Sequence, residues 1–129
     1  SNISPNRNNI NLLPVTSAKE MYDAVMTFFP KTDIAVLSAA VADFRPEMVA
    51  DQKIKKNPDT DSITLKLVKT DDILKTVGSQ KKENQLVVGF ALETENGIAN
   101  AKKKLHTKNI DLIVLNEMSE QGVGKACVP

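Results

Sequence analysis

The 129-residue chain has no tryptophan, one tyrosine, one histidine, one cysteine and five glycines. A single cysteine, Cys127, excludes an internal disulfide and a multi-cysteine zinc centre, and it fits a reducing cytoplasm. The lone His106 stands among lysines near a predicted helix end, where it suits the helix dipole better than catalysis. Neither an apolar run of the ~18 residues needed for a membrane span nor a basic-then-apolar leader is present, so no membrane partner is expected. Aromatic residues are only 4% of the chain, and 17 basic residues against 16 acidic ones leave a net charge of +1. That balance argues against nucleic acid as a partner, and any anion binding has to come from local clusters. Two phosphate-binding signatures are also missing, the G-x-x-x-x-G-K-[ST] loop and the G-x-G-x-x-G turn.

What is present reads as one domain over residues 1–129, with a polar leader at 1–9. A short strand is expected at Ile10 to Val15. Ser17 and Glu20 then form a capping box for a helix whose inner face is Met21, Ala24, Val25, Phe28 and Phe29, ended by Pro30. Ile34 to Val41 (IAVLSAAV), Leu86 to Leu92 (LVVGFAL) and Ile110 to Leu115 (IDLIVL) are apolar without alternation, the pattern of strands in a parallel sheet. Ser62 to Val68 alternates as a one-sided strand, Thr70 or Asp71 caps a short helix, and Glu95 to His106 forms another. Residues 45–60 carry a lysine-bearing loop or flap. The fold class is therefore α/β, a Rossmann-like three-layer α/β/α arrangement with a mainly parallel sheet, incomplete at both ends.

In such sheets ligands lie beyond the carboxyl ends of the strands. The strand ends here are "SAAVAD", "GFALET" and "LNE", each small or polar where the oily run stops. Two readings fit the small residues: a floor on which a ligand meets backbone, or close helix packing with Asp43 capping a turn. Lys53, Lys55 and Lys56 form one basic group, and Lys102, Lys103, Lys104 and Lys108 another. Each group reads either as a phosphate clamp or as a solvated face. Phe90, at a strand end among small residues, is placed to pack on a base or sugar, or in the core.

Taken in order, "SAAVADF", "DQKIKK", "KTDDIL", "VVGFALET" and "KNIDLIVLNE" resemble phosphopantothenoylcysteine synthetase. This is the ligase half of a bifunctional protein in the DNA/pantothenate metabolism flavoprotein family, whose other half is a flavin-dependent decarboxylase. The resemblance implies a carbon-nitrogen ligase of coenzyme A biosynthesis. It would activate 4'-phosphopantothenate with CTP and Mg2+ to an acyl-cytidylate and condense that with cysteine, as a cytoplasmic homodimer. FMN would belong only to the separate decarboxylase half, and the metal ligands are not identified. Lys53 would be the catalytic lysine on the phosphates. The nucleotide would rest on Leu37, Ser38, Ala39, Ala40, Asp43, Asp71, Asp72, Ile73, Leu74, Phe90, Lys104 and Lys108. Asp71 stands where that family has proline. The family's glycine-rich first strand end and its "TNRSSG"-like loop have no counterpart in this sequence, so the resemblance also implies a fragment or a nucleotide-binding module lacking ligase activity.

Overall fold

In the computed structural model, residues 9–55, 62–93, 96–119 and 122–128 are described, with side chains up to residue 116. Helix α1 (Ala18–Phe28) starts where Ser17 accepts the Glu20 amide, and a 3-10 turn at Phe29–Lys31 ends it. The capping box is half as expected. The Glu20 carboxylate turns one residue further back, to the amide and hydroxyl of Thr16. Met21, Tyr22, Val25 and Met26 pack on the core and Phe29 is buried, whereas Phe28 points outward. No strand forms between Ile10 and Val15, whose apolar side chains are exposed and find no neighbouring strand among the described residues.

Strand β1 (Ile34–Leu37) stops four residues short of the apolar run, because Ser38 to Ala42 leave the sheet. The chain then pairs β2 (Phe44–Pro46) antiparallel with β3 (Leu67–Lys69), the only part of the alternating 62–68 stretch that is a strand. Helix α2 (Ile73–Gln80), β4 (Leu86–Glu93), α3 (Gly97–Thr107), β5 (Leu112–Ser119) and β6 (Gly122–Val128) follow. The main sheet has the order β1-β4-β5-β6, parallel except for β6, whose antiparallel pairing with β5 had no periodicity to reveal it. Parts of the leader and of the 45–60 loop, with Lys56, Thr94 and Glu95, lie outside the described residues.

Two crossovers in the same direction, β1 to β4 through α2 and β4 to β5 through α3, put both helices on one side of the sheet if each is right-handed. Burial agrees. Val87, Ala91, Ile113 and Leu115 face the helices together with Ile73, Val77 and Ala101, and they form the core. The alternate positions of the same strands face away: Ile34 is 61% exposed, Val36 59%, Phe90 39% and Leu92 59%. The continuous apolar strands thus have one face packed and one open among the described residues, although the sequence pattern suits a sheet covered twice.

Polar ties hold the layers in register. Gln85 is buried and donates to the carbonyls of Phe29 (2.8 Å) and Thr32 (2.7 Å) while accepting the Lys82 amide (2.9 Å). Asp111, just before β5, accepts from Lys81 Nζ at 2.6 Å and from the Val87 amide at 2.8 Å. Burial alone would raise the Asp111 carboxyl, but the Lys81 ammonium and the Val87 N–H outweigh it and hold it below its ordinary range. A carboxyl lowered on folding stabilises the fold fully above its unfolded value of about 4 and loses that contribution as pH falls through the lower folded value. Urea unfolding at pH 7 and at pH 3 should therefore show a larger acid loss for the wild type than for Asp111→Asn. Equal losses would mean that Asp111 contributes nothing to acid sensitivity.

Candidate functional site

β1 and β4 run parallel; β1 ends at Leu37, opposite Gly89, while β4 runs on to Glu93. Beyond the carboxyl end of β1, alongside the last residues of β4, opens a cavity of about 240 Å3. Leu37, Ala39 and Ala40, with Val41 and Ala42, form its floor, and Asp43 stands at the rim. The small side chains come where β1 has left the sheet, so a ligand there meets backbone.

The second wall is the start of α2. Asp72, rather than Thr70 or Asp71, is the N-cap: its Oδ1 accepts the Lys75 amide at 3.0 Å, the bond that satisfies a free donor of the first turn. Asp71, Ile73 and Leu74 line the same wall, and Phe90, Ala91 and Leu92 come from β4. The third wall is the end of α3, with Lys104 in the helix and Lys108, four residues on, as its C-cap. A Schellman turn fixes the end of that helix. Ile110 N donates to Leu105 O at 3.2 Å and Asn109 N to His106 O at 3.3 Å, and Asn109 takes the left-handed φ of 51° that this turn requires.

Both lysines already have partners. Lys104 Nζ is 2.5 Å from Glu93 Oε1, and Glu93 also accepts from Asn100 at 3.0 Å. Lys108 Nζ is 2.9 Å from Asp72, joining the end of α3 to the cap of α2. The Lys104 ammonium holds the Glu93 carboxyl below its ordinary range against the opposing effect of burial, with Asn100 assisting. Burial would raise Asp72, and the Lys108 ammonium and the Lys75 N–H prevail to lower it. An anion entering the cavity therefore meets two oriented ammonium groups and competes with two carboxylates for them.

Most of the expected site residues meet here, but Ser38 and Lys53 do not line the cavity. Ser38, the first residue after β1, is exposed. Lys53 is exposed in the segment after β2, as is Lys55. His106 is exposed in the last turn of α3. The role of Glu93 and Asn100 in holding Lys104 was not foreseen. Asn100 and Lys104 lie one turn apart, a spacing that lets one carboxylate reach both. Thr70, expected as a cap, is instead a wall residue. No cluster of three or more His, Cys, Asp or Glu side chains that could hold a metal occurs among the described residues.

Residues 1–127 match the DNA/pantothenate metabolism flavoprotein C-terminal domain. The chain belongs to this family. It is 46% identical over 122 residues to a cysteine/cysteine sulfinic acid decarboxylase from an unknown prokaryotic organism, covering 95% of this chain and 33% of that protein. It is 47% identical over 112 residues to the coenzyme A biosynthesis bifunctional protein CoaBC of Bacillus subtilis, covering 87% of this chain and 27% of that protein. The chain thus spans about a third of the length of these curated relatives. Among solved structures, the C-terminal domain of a coenzyme A biosynthesis bifunctional protein CoaBC superposes with a TM-score of 0.66 at 36% identity, over 89% of this chain and 54% of that one. A DNA/pantothenate metabolism flavoprotein from Streptococcus pneumoniae gives 0.69 at 18% identity, over 95% and 66%, and shares the mixed α/β fold with its mostly parallel sheet.

These findings correct the expectations drawn from the resemblance. The matching family is described as a flavoprotein C-terminal domain, not as phosphopantothenoylcysteine synthetase, and the relatives are named as a decarboxylase and a bifunctional coenzyme A biosynthesis protein. Assignment to the ligase half, with CTP-dependent joining of 4'-phosphopantothenate and cysteine, is set aside, and with it the fragment lacking ligase activity. Excluding FMN from this chain does not stand either, because the family it belongs to is a flavoprotein family. No helix of the described residues is long and apolar enough to cross a membrane.

Proposed function

We propose that this chain is the nucleotide-seating part of an enzyme of coenzyme A biosynthesis, and that the cavity beyond β1 and β4 holds a phosphorylated nucleotide. One observation carries this reading: Lys104, Lys108 and the small-residue backbone of 39–42 converge on one cavity at the sheet's carboxyl edge, which Phe90 also lines. That edge is where open parallel sheets bind such ligands. Lys104 and Lys108 suit the phosphate, Phe90 suits a flat ring, and the backbone of Ala39 to Ala42 allows the sugar a close approach.

The flavoprotein family makes FMN the first nucleotide to examine. The donor set fits its phosphate, and bound flavin would supply a two-electron redox step. A volume of about 240 Å3 lies below the roughly 300–1,000 Å3 of whole-ligand pockets, so the cavity takes the phosphate end and leaves part of the ring at the rim by Phe90. In this reading the chain's own residues do three things. Lys104 and Lys108 exchange their carboxylate partners for phosphate oxygens, Asp72 keeps the cap of α2 in place, and Glu93 keeps Lys104 aimed between occupancies. Calorimetric titration with FMN, and then with ATP, is expected to give saturable one-site binding for at least one of them. No binding by either of them would refute the reading.

A further inference from the structure

The small β2–β3 sheet delivers two neighbouring residues to the cavity. Past the last paired residues, Phe44 and Lys69, the ladder continues with one more bond, Thr70 N to Asp43 O at 2.9 Å. Asp43 and Thr70 therefore stand side by side in the lining, next to Asp71. Thr70 is unusual in one respect. Its Oγ1 is shut off from solvent and has no hydrogen-bond partner among the described residues. Buried hydroxyls are ordinarily paired, and one left without a partner is a cost the fold carries unless something else completes it.

We propose that Thr70 is a recognition residue, whose hydroxyl pairs with the sugar or base of the nucleotide; this rests on the nucleotide reading of the cavity. The charge layout sets its share of the ligand. Cations line the α3 wall, where Lys104 and Lys108 stand, while the wall holding Thr70 carries Asp43 and Asp71, which repel phosphate. A phosphate turned towards α3 leaves the uncharged end of the ligand facing Asp43 and Thr70. A hydroxyl both donates and accepts, so it can pair with a ribose or ribityl hydroxyl or with the polar edge of a base. Rotation about χ1 between staggered wells exchanges hydroxyl and methyl without moving the backbone, which the bond to Asp43 holds.

The test uses Thr70→Val, of nearly the same shape, and Thr70→Ser, which keeps the hydroxyl. Affinity for the nucleotide that the wild type binds is expected to fall at least tenfold in Thr70→Val and less than threefold in Thr70→Ser. Inorganic pyrophosphate, which has no sugar or base, should bind wild type and Thr70→Val equally. The melting temperature of Thr70→Val should not fall, since its hydroxyl gives up no bond inside the protein. Equal nucleotide affinity in wild type and Thr70→Val overturns the assignment while leaving the nucleotide site intact. A melting temperature lowered by several degrees overturns it too, by showing that the hydroxyl is bonded within the fold. If no nucleotide binds the wild type, the site reading falls and this inference falls with it.

Discussion

Replacing Gly78 by alanine is expected to cost about 3 kcal/mol or more, and to lower the melting temperature by about 10 °C in a chain of this size. Helix α2 crosses the end of α3 so closely that a Cβ at position 78 would lie 1.7 Å from the Lys108 carbonyl oxygen, 2.9 Å from its carbon and 3.1 Å from the Asn109 oxygen. All three atoms are backbone, and the Schellman turn fixes them. The Asn109 side chain also donates to Gly78 O at 2.9 Å, so the two segments are bonded as well as in contact. Gly89 gives the contrast. There the nearest atoms are the Leu74 Cδ2 at 2.8 Å and the Ile110 Cδ1 at 3.1 Å, ends of side chains that can turn aside. Thermal unfolding should therefore rank Gly89→Ala clearly above Gly78→Ala. The reverse order would place the α2–α3 crossing elsewhere. Because Lys108 is the residue struck, the same substitution also disturbs the cavity.

Removing both Lys104 and Lys108, as alanines, is expected to weaken nucleotide binding a hundredfold or more. Hydrogen bonds to charged groups are worth about 1.5–3 kcal/mol each, and every 1.4 kcal/mol is a factor of ten. The loss deepens because Glu93 and Asp72 would then face the phosphate without a cation between them. Lys102 and Lys103 belong to the same run of lysines, but they are exposed and outside the cavity. Their double alanine variant should bind as the wild type does. Equal losses in the two pairs, measured in 0.15 M salt, would mean that the run acts by general charge and that the cavity geometry is irrelevant.

Much of this was legible in the sequence where local pattern decides. The unbroken apolar strands, the Ser17 cap and the lysine spacing on α3 each depend on neighbours within a few residues. The site residues could be gathered because the ends of parallel strands are where such a sheet places its chemistry. Other features depend on partners far along the chain. β6 pairs with β5 through a glycine-containing stretch that has no two-residue period. Asp72, the cap of α2, also pairs with Lys108, thirty-six residues later, a contact that no local pattern reveals. The sheet's apolar alternate face is the reverse case: its pattern suits burial on both sides, yet the described residues cover only one. Lys53 and Lys55, on the 45–60 loop, are exposed and do not line the cavity.

The central claim is that the carboxyl edge of β1 and β4 is a nucleotide seat. Amide chemical-shift mapping during nucleotide titration tests it most directly, read for FMN and then for ATP. The account predicts shifts clustered at residues 39–43, 70–74, 90–92 and 104–108, with Lys53 and Lys55 unmoved. Shifts centred on Lys53, or on Ile34 and Val36 of the open sheet face, would contradict it.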